Sequence, residues 1–472
     1  MSYKDINDHN CEKMHYVAVI GGSIAGSEAA SMLADKGYRV AVFDQNALPY
    51  GKLEEGLPMW HVGLRDRQEA AIDDKLDHPN IRFIPLVQIG KDIPFDELVN
   101  DWGFSAIILA NGAWDDRRLS LERIHEFEGK NLIYQNPFLY WFNHKHEPDY
   151  KGPQIEIKNN AIVLGGGLAS IDVIKIIMIE LVMKALKEKH NIDIDVFTME
   201  KKGVKTILEE NNLSLETLGI VPANLVYRRA AEDMPLAQAK DKTPEKIEKA
   251  RQTSKKLIEK YVEKFQFNFI PKAVLIDEII ENDQFEGLAF RKVELDGRKL
   301  IPTEETFEIR SKFVVSSIGS VPKKIESLFY EGEQLKMRPE TEYHVHGFDH
   351  VFAIGNAITG KGNIISSKKH GREMTEKIID AHLEDMVNIS DHDALEEKLD
   401  AHNTAIRDLV DKQMDEIEKE ILTHELMSEE EIKELLERTA KLNKGHHFSD
   451  YRRWIKEHKP VRLEDLLKEK KS

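Results

Sequence analysis

The feature that most constrains this chain is a glycine-bearing turn between an apolar run and a helical one near its N-terminus. Residues 17–44 read VAVIGGSIAGSEAASMLADKGYRVAVFD. Val17 to Ile20 has the composition of a buried strand, and Gly21-Gly22-Ser23-Ile24-Ala25-Gly26 follows it. A helical stretch then runs to Lys36, and Gly37 caps it before a second strand that ends in Asp44. Glycine belongs in such a turn where the backbone must bend tightly, approach a pyrophosphate closely, or let helix and strand touch. Gly21 and Gly26 fill the outer roles, while Ser23 takes the middle one, with its hydroxyl expected to donate to a phosphate oxygen. The helix N-terminus adds unpaired N–H groups and the positive end of its dipole. Asp44, about 20 residues past the glycines, suits a ribose diol, because a carboxylate accepts both hydroxyl protons. Strand, loop, helix, capping glycine, strand and acid in this order predict a dinucleotide site.

The pattern recurs. AIVLGGGLASIDVIKIIMIELVMKAL, residues 161–186, places Gly165, Gly166 and Gly167 ahead of Leu168 and Ala169, with Ser170 where a third fingerprint glycine would stand. HVFAIGNAITGKGNII, residues 350–365, carries Gly355, Asn356, Gly362, Asn363 and Ile364. FSAIILANGAW (104–114) and FVVSSIGSVP (313–322) read as buried parallel strands ending in turns. Strands and helices alternating in this manner predict an α/β chain with two Rossmann-like dinucleotide-binding domains. Two basic pairs compete for the 2′-phosphate that separates NADPH from NADH. Lys201 and Lys202 follow the strand-like IDIDVFTME, and Arg228 and Arg229 follow NLVY. The arginines are preferred because their planar forks bond phosphate bidentately. Glu200 beside the lysines is the alternative, an acid for an unphosphorylated ribose, and Asp172 reads as a favourable acid near a helix N-terminus.

Composition excludes several classes. The formal net charge of −17 argues against general nucleic-acid binding, which needs a basic footprint. No apolar run approaches the roughly 20 residues that span a bilayer. MSYKDINDHN has neither the basic nor the apolar region of a secretory signal, so a cytoplasmic location is expected. The one cysteine, Cys11, rules out an intrachain disulfide relay or a thiolate-held cluster. No GxxxxGK[ST] or HExxH motif occurs. His344, His346 and His350, like His144 and His146, have metal-like spacing but no completing cysteine or carboxylate pair; surface loops are expected and no metal. From about residue 386 the chain turns charged and helical, with Leu409, Met414, Ile417 and Ile421 at helical spacing. This face is expected to cover its own chain or a sister subunit, with partner docking as the alternative.

Further segments carry a resemblance to a known family. LPYGKLEEGLPMWH (48–61), with Gly51, Lys52, Leu53 and Gly56, resembles the flavin-wrapping segment of the adrenodoxin reductase and glutamate synthase small-chain class of flavoprotein reductases. LANGAWDDRRL (109–119) resembles its ATGA-type turn, with Asn111 for threonine ahead of Gly112. FLYWFN (138–143) resembles an aromatic segment of the adrenodoxin reductase branch, and YRRAAEDMP (227–235) one of the glutamate synthase small chain. Gly355 to Ile365 resembles the late flavin-binding segment, with Asn356 where relatives have Asp or Trp. The resemblance spans roughly residues 15–385. It implies a polar tail (1–14), a discontinuous FAD domain (15–115 and 323–385), an inserted NADPH domain (116–322), and a helical extension (386–472) with no counterpart in the class. It further implies hydride transfer from NADPH to FAD and electron delivery to a ferredoxin-like protein or partner subunit. His61 matches a histidine that the class places near the flavin, for proton relay or for orienting a loop. The rivals are a reductase of a quinone or other small acceptor, and a non-catalytic flavin-binding subunit of a larger complex. A homo-oligomer joined through the tail is also an expectation.

Overall fold

The computed structural model describes residues 15–237, 243–297, 299–341, 343–359, 391–442 and 450–469. Cys11, Gly362, Asn363 and Ile364 lie outside them.

The first unit begins with β1 (Tyr16–Ile20), α1 (Ile24–Asp35), β2 (Arg39–Phe43), the short α2 (Lys52–Glu55), α3 (Val62–Leu76), β3 (Ile81–Ile84), α4 (Phe95–Asn100) and β4 (Ala106–Leu109). The chain leaves it through β5 (Asp115–Asp116). The second unit follows with β6 (Leu132–Tyr134), α5 (Gln135–His144), β7 (Ile162–Gly165), α6 (Leu168–His190), α7 (Val196–Lys202), α8 (Val204–Glu210), β8 (Asn224–Val226), α9 (Pro244–Phe265) and β9 (Asn268–Ile270). Next come three long strands, β10 (Ala273–Glu281), β11 (Gln284–Asp296) and β12 (Lys299–Arg310), and then β13 (Val314–Ser317). The return passes through β14 (Ser320–Val321) and the small hairpin β15 (Tyr330–Glu331) and β16 (Gln334–Leu335). It ends in β17 (Val351–Ala353) and α10 (Asn356–Thr359).

Two parallel five-stranded sheets result, ordered β17-β4-β1-β2-β3 and β6-β13-β7-β8-β9. The two orders share a four-strand core: the glycine-bearing strand, β1 or β7, has the next two strands of the chain on one side and a later strand, β4 or β13, on the other. The edge strand is the last of the chain in the first sheet, β17, and an early one in the second, β6. Val19 lies beside Val42 and Ile108, and Val163 beside Val315 and Leu225. Val17, Ala18 and Val19 are fully buried, because helices and loops cover both faces of a parallel sheet. Antiparallel pairing of Asp116 with Ser320 and Asp115 with Val321 sets the outgoing and returning chains side by side. The β10-β11-β12 sheet packs Ala273, Phe285, Leu288 and Phe290 onto the second unit against Leu132, Leu164 and Val314.

One expected strand is a helix. IDIDVF alternates as a strand would, yet Asp195 accepts from the Thr198 backbone N–H at 2.9 Å and its hydroxyl at 3.0 Å. This N-cap starts α7, which Gly203 at φ 86° ends. Local capping chemistry overrides the alternation.

The helical extension folds back on its own chain. Its long helix, Asp391–Ile421, buries Val410, Met414, Ile417 and Ile421 in the core that also holds Ala29, Ala30 and Leu33 of α1. Leu409, expected on that face, is half-buried beside it. Lys36 reaches Glu418 at 2.7 Å and Asp415 at 3.2 Å. Ile432 and Leu435, from the helix Glu429–Leu442, pack on the opposite face of the first sheet. Among the described residues no helix is long and apolar enough to cross a membrane.

Candidate functional site

The first cradle forms where β1, β2, β4 and β17 end together, at the switch point of the sheet. Most glycines there are closed in by backbone or a neighbouring side chain. A Cβ on Gly21, whose φ is 103°, would meet the Ala110 carbonyl oxygen at 2.6 Å; one on Gly26 would meet the Gly21 carbonyl at 1.7 Å. Helix α1 therefore rests directly on the turn. Gly51, at φ 56°, faces the Ser23 side chain, and Gly355, at φ 60°, faces the Ala25 methyl group. These contacts draw the loops after four strands into one lining. Gly112, at φ 66°, has nothing within 4 Å of its Cβ position and fronts open space. Asn111 beside it is half-buried, as is Asn356 at the start of α10.

Ser23 departs from expectation. Its hydroxyl donates to the Tyr50 carbonyl at 3.0 Å, so it ties the turn after β2 to the first glycine loop instead of reaching for a phosphate. Ser23 is the N-cap of α1 without a side-chain cap bond, which leaves the first-turn amides to an anion. Asp44 is buried; Oδ2 accepts from the Gly22 N–H at 2.8 Å and Oδ1 from the Asn46 N–H at 2.9 Å. Burial pushes its carboxyl up to about 6, against the lowering effect of those two bonds. Each oxygen keeps a second lone pair for a ribose hydroxyl. Leu53 is buried, and Gly56 ends α2 in close contact with Lys52. The Lys52 ammonium donates to Asn136 Oδ1 at 3.0 Å and Ser320 Oγ at 2.8 Å, and burial pulls its pKa down to about 8. It thus pins the segment after β2 to the two-stranded connection between the units.

The second cradle repeats the arrangement with other closures. A Cβ on Gly165 would meet the Ser317 carbonyl at 2.4 Å, and one on Gly166 the Tyr227 ring at 2.1 Å, whereas Gly167 faces open space. Gly167 caps α6 without a side-chain bond, and Leu168 and Ala169 form its half-buried first turn. The Ser170 hydroxyl bonds back to the Gly167 carbonyl at 2.6 Å. Arg228 and Arg229 leave β8, the strand beside β7, directly after Tyr227; Arg228 is exposed and Arg229 half-buried. Lys201 and Lys202 are exposed at the end of helix α7, not at a strand end, and Lys202 pairs with Glu210 at 2.8 Å. Glu200 is 2% exposed and accepts from the Lys175 ammonium at 2.9 Å, so it is a core ion-pair partner and not a ribose acid.

Between the cradles, residues 57–61 of the first unit pack into the core of the second, with Met59 and Trp60 among Phe138, Phe142 and Ile174. Asn143 fastens this loop: it accepts from the Met59 N–H at 3.0 Å and donates to the Glu54 and Leu57 carbonyls at 3.0 and 2.8 Å. His61 is 1% exposed, with Nε2 3.1 Å from the Trp60 indole N–H and 3.9 Å from Asp172 Oδ1. An acceptor Nε2 puts the proton of a neutral ring on Nδ1. Asp172 lies 3.5 Å from Lys175, whose ammonium sits 4.8 Å over the Trp60 ring. Asn143 and Lys175 had no assigned part in the sequence reading. A lysine within the apolar run IDVIKIIMIELV, three residues after an aspartate, is the signal that marks the buried pair.

The remaining histidines divide. His344 is buried, not in a surface loop; its ring packs 4.8 Å from Phe352 and bonds the Asp349 carbonyl at 3.0 Å. His144 lies between Glu147 at 2.6 Å and Glu55 at 3.4 Å. Among the described residues no group of three or more His, Cys, Asp or Glu is placed to hold a metal ion.

No protein-family model matches the chain. Over 172 residues it is 26% identical to the mitochondrial NADPH:adrenodoxin oxidoreductase of Arabidopsis thaliana, covering 34% of this chain and 33% of that protein. Over 156 residues it is 32% identical to a glutamate synthase (NADPH) small chain of Mycobacterium tuberculosis, covering 32% of this chain and 30% of that one. The matched segments thus span about a third of those relatives. The solved structure of Mycobacterium tuberculosis FprA in complex with NADPH superposes over 91% of this chain and 90% of that chain, with a TM-score of 0.62 at 16% identity. The chain is therefore similar to the adrenodoxin reductase and glutamate synthase small-chain relatives in sequence over about a third of its length, and to FprA in fold over nine-tenths of it.

Proposed function

We propose that this protein is an FAD-dependent NADPH oxidoreductase, with FAD on the first cradle and NADPH on the second, delivering electrons to a ferredoxin-like protein or a partner subunit. The observation that carries the reading is duplication: two sheets with the same four-strand core order, each with its glycine turn at the end of the central strand, joined so that a loop of one is embedded in the core of the other. The residues fit the two groups. Side chains are sterically excluded at Gly21 and Gly26, while the first-turn amides of α1 and α6 carry no side-chain cap.

The bound pair supplies hydride transfer from nicotinamide to isoalloxazine. The chain's contribution is orientation and exclusion of water. Amides at the starts of α1 and α6 receive pyrophosphate charge, and Asp44 receives ribose hydroxyls. Arg228 and Arg229 leave the strand next to the glycine strand, the position from which the 2′-phosphate is read; they are preferred over the lysines of α7. Asn143, Trp60 and Lys52 fix the units against each other, which would hold the two cradles in a constant relation. His61, buried with Asp172 3.9 Å away, is the group that would orient this loop or relay a proton beside the flavin. A cytoplasmic location and a macromolecular acceptor belong to the same reading.

Anaerobic titration of the purified yellow protein with NADPH and NADH tests it. NADPH should bleach the flavin near 450 nm at lower concentration than NADH. A colourless protein that takes up no added FAD would end the reading. A flavin that neither nucleotide reduces would favour the non-catalytic subunit. Turnover with quinones but not with ferredoxin would favour the small-acceptor enzyme.

A further inference from the structure

The segment after β2, residues 47–56, wraps one side of the first cradle, and the C-terminal extension touches it repeatedly. Trp454 donates its indole N–H to the Ala47 carbonyl at 2.7 Å. Tyr451 donates to Asp73 Oδ1 at 2.8 Å, and the same carboxylate accepts from Tyr50 at 3.1 Å. Arg462 forms a two-pronged bridge to Glu54 at 2.5 and 2.6 Å and adds Glu69 at 2.8 Å. The extension thus meets the segment directly at residues 47 and 54 and, through Asp73, at residue 50. The contacts are buried: Tyr50 is fully enclosed, and Asp73, Glu54 and Glu69 are each under 9% exposed. Leu48, Tyr50 and Leu53 share one apolar cluster with Tyr451, Trp454 and Ile455.

Tyr50 carries this bracing into the cradle. Its carbonyl receives the Ser23 hydroxyl, and the next residue, Gly51, takes φ 56° against the Ser23 side chain. One line of hydrogen bonds runs from Tyr451 through Asp73 and Tyr50 to the glycine loop. Arg462 holds α2 from its other side; without it Glu54 and Glu69 would face each other with one cation fewer, in a site where burial already raises Glu69 to about 7.

We infer that Tyr451 and Arg462 of the C-terminal extension are positioning residues of the flavin site, holding the 47–56 segment in its binding conformation. The inference rests on the proposed FAD site and assigns the extension a part in cofactor affinity beyond covering α1.

The test uses the full chain, with FAD dissociation constants measured on stripped protein and the visible flavin spectrum recorded after reconstitution. Tyr451→Phe keeps the ring in its cluster and loses only the hydroxyl; Arg462→Gln loses the bridge, and Arg462→Lys restores the charge without the fork. Loss of a charge-assisted buried bond corresponds to about a tenfold or greater rise in the dissociation constant for Arg462→Gln. A smaller rise is expected for Tyr451→Phe, and partial recovery for Arg462→Lys. The comparison variant is Arg438→Gln, which removes another contact between extension and body, to Glu97 at 2.8 Å, away from the segment. It should leave FAD affinity and spectrum unchanged. Wild-type affinity in both Tyr451→Phe and Arg462→Gln, or equal weakening by Arg438→Gln, overturns the inference while leaving the flavin reading intact. Failure of the unsubstituted protein to bind FAD overturns both.

Discussion

Lys175 offers the sharpest test of how the second unit is held together. It is 1% exposed on α6, with its ammonium 2.9 Å from Glu200, 3.5 Å from Asp172 and 4.8 Å over the Trp60 ring. Burial lowers its pKa, but Glu200 and Asp172 outweigh burial and raise it, so the lysine is charged. Lys175→Met preserves most of the stem volume and deletes the cation. Breaking a buried pair from one side costs about 3–5 kcal/mol, because the carboxylate left behind has lost its counter-charge in a dry site. Adding Glu200→Leu removes that carboxylate too. The double variant should recover about 2–3 kcal/mol of the loss and not all of it, since an apolar replacement of a buried pair is near neutral but Asp172 still lacks the cation. Urea unfolding followed by tryptophan fluorescence measures each corner of the cycle, and Trp60 lies at the site. The loss in Lys175→Met should shrink under acid conditions, where a stranded Glu200 takes up a proton. A single-variant loss below about 1 kcal/mol, or a double variant as unstable as the two losses added, would refute the argument.

Three further outcomes follow from the geometry. Gly26→Ala drives a methyl into the Gly21 carbonyl, 1.7 Å from the ideal Cβ, so α1 must lift from the turn at a cost of about 3 kcal/mol or more; an undiminished flavin-to-protein absorbance ratio after gel filtration would contradict this. His144 is disfavoured in its charged form by burial but favoured more by Glu147 and Glu55, and its pKa rises from 6.5 to about 9. A raised histidine pKa gives stability that is fully present below pH 6.5 and lost as pH rises through about 9, at most about 3 kcal/mol. His144→Gln should flatten the stability–pH curve in that window, and an unchanged slope would sink the assignment. Arg228→Ala should raise KM for NADPH about 10- to 100-fold, as expected for a lost charge-assisted phosphate contact, and barely move KM for NADH. Equal effects on the two nucleotides in steady-state assays would return the 2′-phosphate to the lysines of α7.

What could be read in the sequence was what is decided over a few residues. The turn at Gly21 to Gly26 is legible because adjacent backbone excludes a Cβ at its two outer glycines, whatever the rest of the fold does. The strand ahead of Arg228 and Arg229 was legible from NLVY, but its place beside the second glycine strand comes from the fold. The strand expected before Lys201 failed on one side-chain bond, Asp195 to the Thr198 amide, which alternation of apolar residues does not register. The Ser23 hydroxyl failed differently. Its partner is the Tyr50 carbonyl, 27 residues away, and no local pattern announces a turn folding back that far. Trp454 to Ala47 and Arg462 to Glu54 span about 400 residues, and one uses a backbone carbonyl and the other a pair of residue types common on any surface. Their meaning comes from burial alone. An exposed Arg–Glu pair contributes roughly 0–1 kcal/mol, whereas these groups are enclosed, so that losing one partner leaves a charge poorly solvated. The helical extension, which had no counterpart in the resemblance, is for this reason the part of the chain where structure changes the functional reading most. Its apolar seam along Val410, Met414 and Ile417 covers α1, while Trp454 and Arg462 reach the 47–56 segment beside the first glycine cradle.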